Sequence, residues 1–239
     1  FEDFDTARFV YTELHEDGSK TALFEVEFAG ARSESYEEHS RKPQVTATTI
    51  EHDLSRRDFT VNAIARPIHP DGTLGEHIDP FAGMLALVDR RLDTPLDPDV
   101  TFFDDPLRML RAARFASQLS FSLSERVLLS IHKNRERLSI ISAERIQEEL
   151  IKLLGTDVPS VGLWLLHGTK LLDVFLPEIE LLAGVEEVRG YTHKDNLSHT
   201  FAVVDNVAML SPKPLLRLAG LLHDIAKPQT KAFDPERGW

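Results

Sequence analysis

The 239-residue sequence contains no cysteine, which excludes a disulfide scaffold, a thiolate nucleophile and a cysteine-built zinc or iron–sulfur centre. It also has no apolar run approaching the roughly 18 residues of a membrane span. No basic stretch followed by an apolar one opens the chain, so a secretory leader is not indicated. These absences point to a soluble, cytoplasmic protein with no membrane partner. Basic side chains are scarce: 27 stand against 39 acidic ones, a formal charge of −12. Over the whole chain that balance opposes a polyanionic partner. Apolar residues are plentiful, and 42% hydrophobic content supports a packed core and excludes intrinsic disorder. The length suits one or two domains.

The charge is unevenly spread. Residues 1–55 carry 13 acidic and 5 basic side chains, whereas residues 105–145 carry 8 basic and 4 acidic. A local positive surface within an acidic protein follows.

Periodicity divides the chain. Arg8 to Leu14 and Ala22 to Phe28 flank a turn at Asp17-Gly18-Ser19 and read as a hairpin. Alternation puts Phe24, Val26 and Phe28 on one face and Glu25 and Glu27 on the other. Asp58 to Ala65 reads as a short helix, and glycines and prolines then punctuate turns to residue 83. Beyond residue 100 nearly everything is helical. Asp105-Pro106 starts a helix, Ser124 and Ser142 are candidate caps, and Ile146, Leu150, Leu153 and Leu154 mark a buried stripe. Further helices are expected over 160–168, 198–210 and 214–226. A small α/β unit followed by helices is an α+β arrangement.

Three constellations could carry chemistry. In Arg56 to Ala65, Asp58 and Asn62 would share a helix face, where a carboxylate and an amide can hold a sugar hydroxyl pair. Arg57 before them suits phosphate oxygens. The alternative is that Asp58 caps the helix and the arginines are solvated. In Asp104 to Ala116, arginines at 108, 111 and 114 slip by about 60° per step and cover a band about 120° wide. Asp105 and Arg108 together offer an acceptor and donors suited to a base edge, or else form an ordinary exposed ion pair. Third, His199 with His223-Asp224 could ligate a metal, an incomplete set without a fourth ligand.

Four segments in order resemble the class II tRNA nucleotidyltransferases, the bacterial CCA-adding enzymes and their poly(A) polymerase relatives. They are Arg56 to Ala65, Ile78-Asp79-Pro80-Phe81-Ala82-Gly83, Asp104 to Ala116, and Ser142 to Leu150. His193 to His199 and His223-Asp224 are similar to an HD domain. The resemblance implies a fold of α+β class: a nucleotidyltransferase-type mixed sheet with helices, then an all-α neck and the start of an all-α HD domain. It implies a head portion over 1–95, a neck over 96–157 and a helical body with the HD start over 158–239.

Carried over, the resemblance implies that Arg57 contacts a triphosphate while Asp58 and Asn62 hold the ribose. Asp105 and Arg108 would select CTP or ATP, and Arg111 and Arg114 would complete the nucleotide site. Glu27 would be an active-site carboxylate and magnesium ligand, with Glu25 as competitor, and Arg32 would lie near the phosphates. His199, His223 and Asp224 would hold a divalent transition metal. Asp104 stands where the family usually has Glu. The family's Gly-rich loop and Asp-x-Asp strand are not among these residues, since Asp3-Phe4-Asp5 lacks the glycine loop. Two-metal transfer needs those carboxylates, so the 239 residues alone are expected to be inactive. A last HD ligand is expected beyond Trp239. The implied reaction adds C and A from CTP and ATP to a tRNA 3′ end, releasing pyrophosphate. Rivals are a poly(A) polymerase, a CC- or A-adding enzyme, an HD phosphohydrolase and an inactive RNA-binding module.

Overall fold

A computed structural model describes residues 6–15, 17–35, 44–184, 187–188, 191–192 and 195–230. Asp3-Phe4-Asp5, His193-Lys194 and residues 231–239 lie outside the described residues. The expected hairpin is present: β1 (Thr6–Leu14) and β2 (Lys20–Ala29) pair antiparallel. Asp17 closes the turn by accepting from the Ser19 N–H (2.9 Å) and hydroxyl (2.6 Å), with Gly18 at φ 81°. Phe24, Val26 and Phe28 are all exposed. β3 (Arg32–Ser35) pairs with β4 (Gln44–Ala47), and α1 (Ile50–Ser55) follows, capped by Thr49.

The segment read as a helix over 58–65 is instead a bend followed by one 3-10 turn, Thr60–Asn62. Phe59 is extended (φ −132°, ψ 151°) with its ring fully buried, and Asp58 Oδ1 accepts from the Phe59 N–H at 2.8 Å. An aspartate that bonds its neighbouring backbone diverts the chain from helix. The turn is braced by α2 (Gly83–Val88). Asp79 caps α2, accepting from Gly83 N (2.6 Å) and Met84 N (2.9 Å). A Cβ on Gly83 would sit 2.2 Å from the Thr60 carbonyl oxygen and 2.7 Å from Ile64, so only glycine lets α2 start here. β5 (Arg91–Leu92) and β6 (Ser122–Leu123) form a short parallel pair. Among the described residues the strands thus occur as two-stranded sheets, three antiparallel and one parallel.

The helical part comprises α3 (Pro98–Asp104), α4 (Leu107–Leu119), α5 (Glu125–Asn134), a 3-10 stretch Arg135–Ile140, α6 (Ala143–Leu154), α7 (Pro159–Gly168), α8 (Leu172–Phe175) and α9 (Pro177–Glu180). After the two-residue strands β7 (Glu187–Val188) and β8 (Tyr191–Thr192) come α10 (Asn196–Leu210), α11 (Pro214–Leu222) and α12 (Lys227–Thr230). α4 is the axis of the core: Met109, Leu110, Ala112, Ala113 and Ala116 are buried. Its small residues admit α7, where a Cβ on Gly162 would meet the Ala113 carbonyl oxygen at 2.7 Å.

The expected helix starts hold. Asp105 Oδ1 accepts from Leu107 N (3.2 Å), and Ser124 Oγ accepts from Val127 N (3.4 Å). Ser142 occupies the cap position of α6 without a side-chain cap bond. The helix expected to run to residue 226 ends at Leu222, because the chain tightens into i→i+3 bonds from Ile225 N to Leu222 O (3.1 Å) and from Lys227 N to Asp224 O (2.9 Å). Among the described residues no helix is long and apolar enough to cross a membrane.

Gly83→Ala should destabilise the protein by about 1–3 kcal/mol through overpacking against backbone. Gly168→Ala, where a Cβ meets nothing within 4 Å, should not. Urea midpoints of the two variants check this.

Candidate active site

A cavity of about 550 Å³ opens between the 56–62 bend and the first turns of α4 and α6. Arg57, Asp58, Asn62, Asp105, Arg108 and Arg111 all line it, joined by Arg56, Phe115 and Arg145. Five guanidinium groups therefore face two carboxylates and one amide.

Asp58 organises the floor. It is buried, and its Oδ2 accepts both Nε (2.9 Å) and Nη2 (2.6 Å) of Arg111. Its Oδ1 accepts from Phe59 N and from Asn62 Nδ2 (3.0 Å). Asn62 thus stands beside Asp58, as expected, although the 3-10 turn rather than an α-helix puts it there. Burial pushes the Asp58 carboxyl up, but the Arg111 charge and these hydrogen bonds outweigh it and hold the group below the ordinary carboxylate range. The ionic chain continues inward. Arg111 Nη1 lies 3.9 Å from Glu149 Oε1, and Glu149 Oε2 accepts from Arg114 Nε at 2.7 Å. Glu149 is buried on α6 and was absent from the sequence-based candidates.

A second carboxylate stands behind the arginines. Asp53 is buried and accepts from Arg56 Nη2 (2.5 Å), Arg57 Nη2 (2.8 Å) and the Arg32 N–H (3.2 Å). Burial raises its carboxyl pKa, but the bonds from Arg57 and Arg56 lower it more, leaving it below its ordinary value. Arg56 Nε also donates to the Arg32 carbonyl (2.8 Å). Arg32 is thereby fixed through its backbone, and its side chain does not line the cavity. Glu27 likewise stands apart, exposed on the hairpin. Its neighbour Glu25 pairs with Arg8.

The arginine band on α4 is split. Arg108 and Arg111 line the cavity, whereas Arg114 is turned inward to Glu149 and Gln118 (2.7 Å to each) and lines a separate cavity of about 400 Å³ with Lys152 and Thr156. Two steps of about 60° carry it off the face. Its guanidinium stacks 4.0 Å from the Phe115 ring centroid, which also meets Phe59 edge-on. Asp105 lies at the rim, its Oδ2 3.7 Å from Arg145 Nη2.

His199, His223 and Asp224 are brought together, with ligand atoms within 4.8 Å of one another. The contact of His223 Nδ1 with the Gly220 carbonyl (2.7 Å) makes Nδ1 the donor, so in neutral imidazole Nε2 keeps its lone pair toward Asp224 Oδ2 (3.1 Å). Such second-shell support orients metal-binding histidines. The donor set fits a divalent transition metal. Lys227 Nζ shares the Asp224 oxygen at 2.6 Å.

Guanidinium groups beside carboxylates and an amide make the cavity suited to a polar anion. Residues 4–93 match the poly A polymerase head domain, 120–182 the probable RNA and SrmB-binding site of polymerase A, and 196–238 the HD domain. The multifunctional CCA protein of Xylella fastidiosa (strain M23) is 37% identical over 225 residues, covering 89% of this chain and 51% of that protein. Three family models thus match successive segments of the chain, each less than half of it, and the chain spans about half the length of the curated relatives it matches. The Bacillus stearothermophilus CCA-adding enzyme in complex with CTP superposes with a TM-score of 0.55 at 26% identity, covering 93% of this chain and 62% of that one. A tRNA nucleotidyltransferase complexed with a primer tRNA and an incoming ATP analog shares the fold at a TM-score of 0.62 and 24% identity, covering 94% and 66%.

At neutral pH Asp58→Asn should cost about 2–3 kcal/mol, less than a fully buried pair because Arg111 keeps contact with water. The wild-type advantage is fully present above the unfolded carboxylate pKa of about 3.9 and fades as pH falls through the lower native value. Unfolding free energies from pH 7 to pH 3 should show the two proteins converging in acid.

Proposed function

We propose that the chain is part of an enzyme that adds C and A, from CTP and ATP, to the 3′ end of tRNA and releases pyrophosphate, acting in the cytoplasm. Residues 1–95 supply a head portion, 96–157 the neck, and 158–239 a helical body with the start of an HD domain. The observation that carries this reading is the convergence of Arg57, Asp58, Asn62, Asp105, Arg108 and Arg111 on one cavity.

Asp53 holds Arg57, which is about half exposed, with donors turned to a triphosphate, and holds Arg56 beside it. Asp58 accepts four hydrogen bonds already, about the capacity of a carboxylate. It therefore positions Asn62 and Arg111, and the ribose hydroxyl falls to the Asn62 amide oxygen. Asp105 and Arg108 read the Watson–Crick edge, the carboxylate accepting from the exocyclic amine that cytosine and adenine share. Arg114 serves the site indirectly, through Glu149.

Magnesium would polarise the reacting phosphate and lower the pKa of the attacking 3′-hydroxyl. Glu27 is this chain's assigned ligand, although the described residues gather no three-ligand group around it.

In the full-length protein, Asp105→Ala should abolish the preference for CTP and ATP over UTP and GTP while leaving tRNA binding intact. Incorporation into tRNA lacking its end, with each triphosphate in turn, measures it. Undiminished discrimination would sink the assignment. Products made with CTP and ATP together separate CCA addition from CC, A or poly(A) addition.

The His199–His223–Asp224 cluster favours a second activity, metal-dependent phosphate-ester hydrolysis at the HD portion. That activity should vanish in His223→Ala and survive in Arg57→Ala. Hydrolysis of a chromogenic phosphodiester with added divalent metal tests it.

A further inference from the structure

Arg145 lines the nucleotide cavity and belongs to the segment Ser142 to Leu150, yet neither composition nor spacing gave it a task. It lies in the first turn of α6, four residues before Glu149, so the two share a helix face. Glu149 is locked to Arg114 of α4, and this fixes the height and rotation at which Arg145 meets the start of α4. There its nearest charged partner is Asp105, with Nη2 3.7 Å from Oδ2. The other oxygen, Oδ1, is committed to the Leu107 N–H.

We propose that Arg145 is a positioning residue for base selection: it holds the Asp105 carboxylate with Oδ2 aimed into the cavity while leaving that oxygen's lone pairs free. The distance is what makes this possible. At 3.7 Å the guanidinium attracts the carboxylate, but the contact is too long for a hydrogen bond. Oδ2 can therefore accept from a base amine, which cytosine and adenine carry. Uracil and guanine present a keto oxygen at the corresponding position, and two acceptors face to face repel. Without Arg145 the carboxylate keeps, among the described residues, its bond from Leu107 N and can rotate its other oxygen away from the base. This inference rests on Asp105 being the base-reading acceptor.

The test uses the full-length protein, with kcat/KM for CTP, ATP and UTP measured on tRNA lacking its end. Arg145→Ala should lower the CTP-over-UTP ratio about tenfold, and Arg145→Lys should restore part of it. In an Asp105→Ala background the same substitution should change the ratio no further, as expected for two residues acting through one group. An unchanged ratio in Arg145→Ala overturns the inference, as does a second full drop in the Asp105→Ala background. Equal losses for all three nucleotides also overturn it, since they would assign Arg145 to the phosphates. Retention of the wild-type ratio by Asp105→Ala itself would remove the base-reading role of Asp105 and this inference with it, which separates the two failures. Arg145 is about two-fifths exposed, and a circular dichroism melt confirms that each variant folds.

Discussion

The pair between Asp58 and Arg111 joins residues 53 positions apart, and it ties the α/β portion to the helical one. Both groups would be expensive to leave alone, because an uncompensated buried carboxylate forfeits its hydration. The fold therefore has to bring the 58–62 bend against α4, and the bend in turn needs Gly83 for α2 to brace it. The same guanidinium leans toward Glu149, which holds Arg114 and Lys152. One alternating series of charges thus runs from the head through α4 to α6. The series holds Asp58, Arg111 and Arg145 in place around the cavity, so the geometry of the site and the packing of three segments have a common cause.

That common cause explains which parts of the site were legible in the sequence. Asp58, Asn62, Asp105, Arg108 and Arg111 carry local signals: a cap acid, an i,i+4 pair, arginines spaced by three. Each of these spacings survives in the structure, even where the α-helix assumed for 58–65 is a 3-10 turn. Asp58 bends the chain there by accepting from the Phe59 N–H, which leaves Phe59 extended with its ring buried. α3 begins two residues ahead of the expected helical region, at Asp97-Pro98, as plain a helix start as Asp105-Pro106. Asp53 and Glu149 were invisible for a deeper reason. A glutamate among Gln147 and Glu148 on an amphipathic helix reads as solvated, and only the tertiary approach of Arg114 makes burial of that one carboxylate tolerable. Arg114 turns inward to Glu149, because a 120° band straddles two faces and spacing alone does not say which end of it is inside.

The net charge of −12 and the arginine-lined cavity are compatible because fields near a site are set by nearby groups. At physiological salt the screening length is about 8 Å, so carboxylates on the hairpin scarcely reach an anion in the cavity. Within it, five guanidinium groups outnumber two carboxylates. An acidic exterior with a basic interior weakens nonspecific adhesion to polyanions and keeps attraction where contacts are specific. Binding of an anion there is salt-sensitive and local.

α6 connects this cavity to the remainder of the chain. Arg217 of α11 is buried with no carboxylate partner among the described residues, and its charge is spread over backbone carbonyls instead. Nη1 donates to Leu154 O (2.6 Å) and Thr156 O (2.5 Å), Nη2 to Ala208 O (3.3 Å) and Nε to Ser211 O (3.0 Å). These carbonyls lie at the C-terminal ends of α6 and α10, where free acceptors and the helix dipole favour a cation. A single guanidinium therefore fastens the helices that carry His199 and His223 to the far end of the helix that carries Arg145 and Glu149. One helix, α6, thus runs from the arginine-lined cavity to the segment that matches the HD domain.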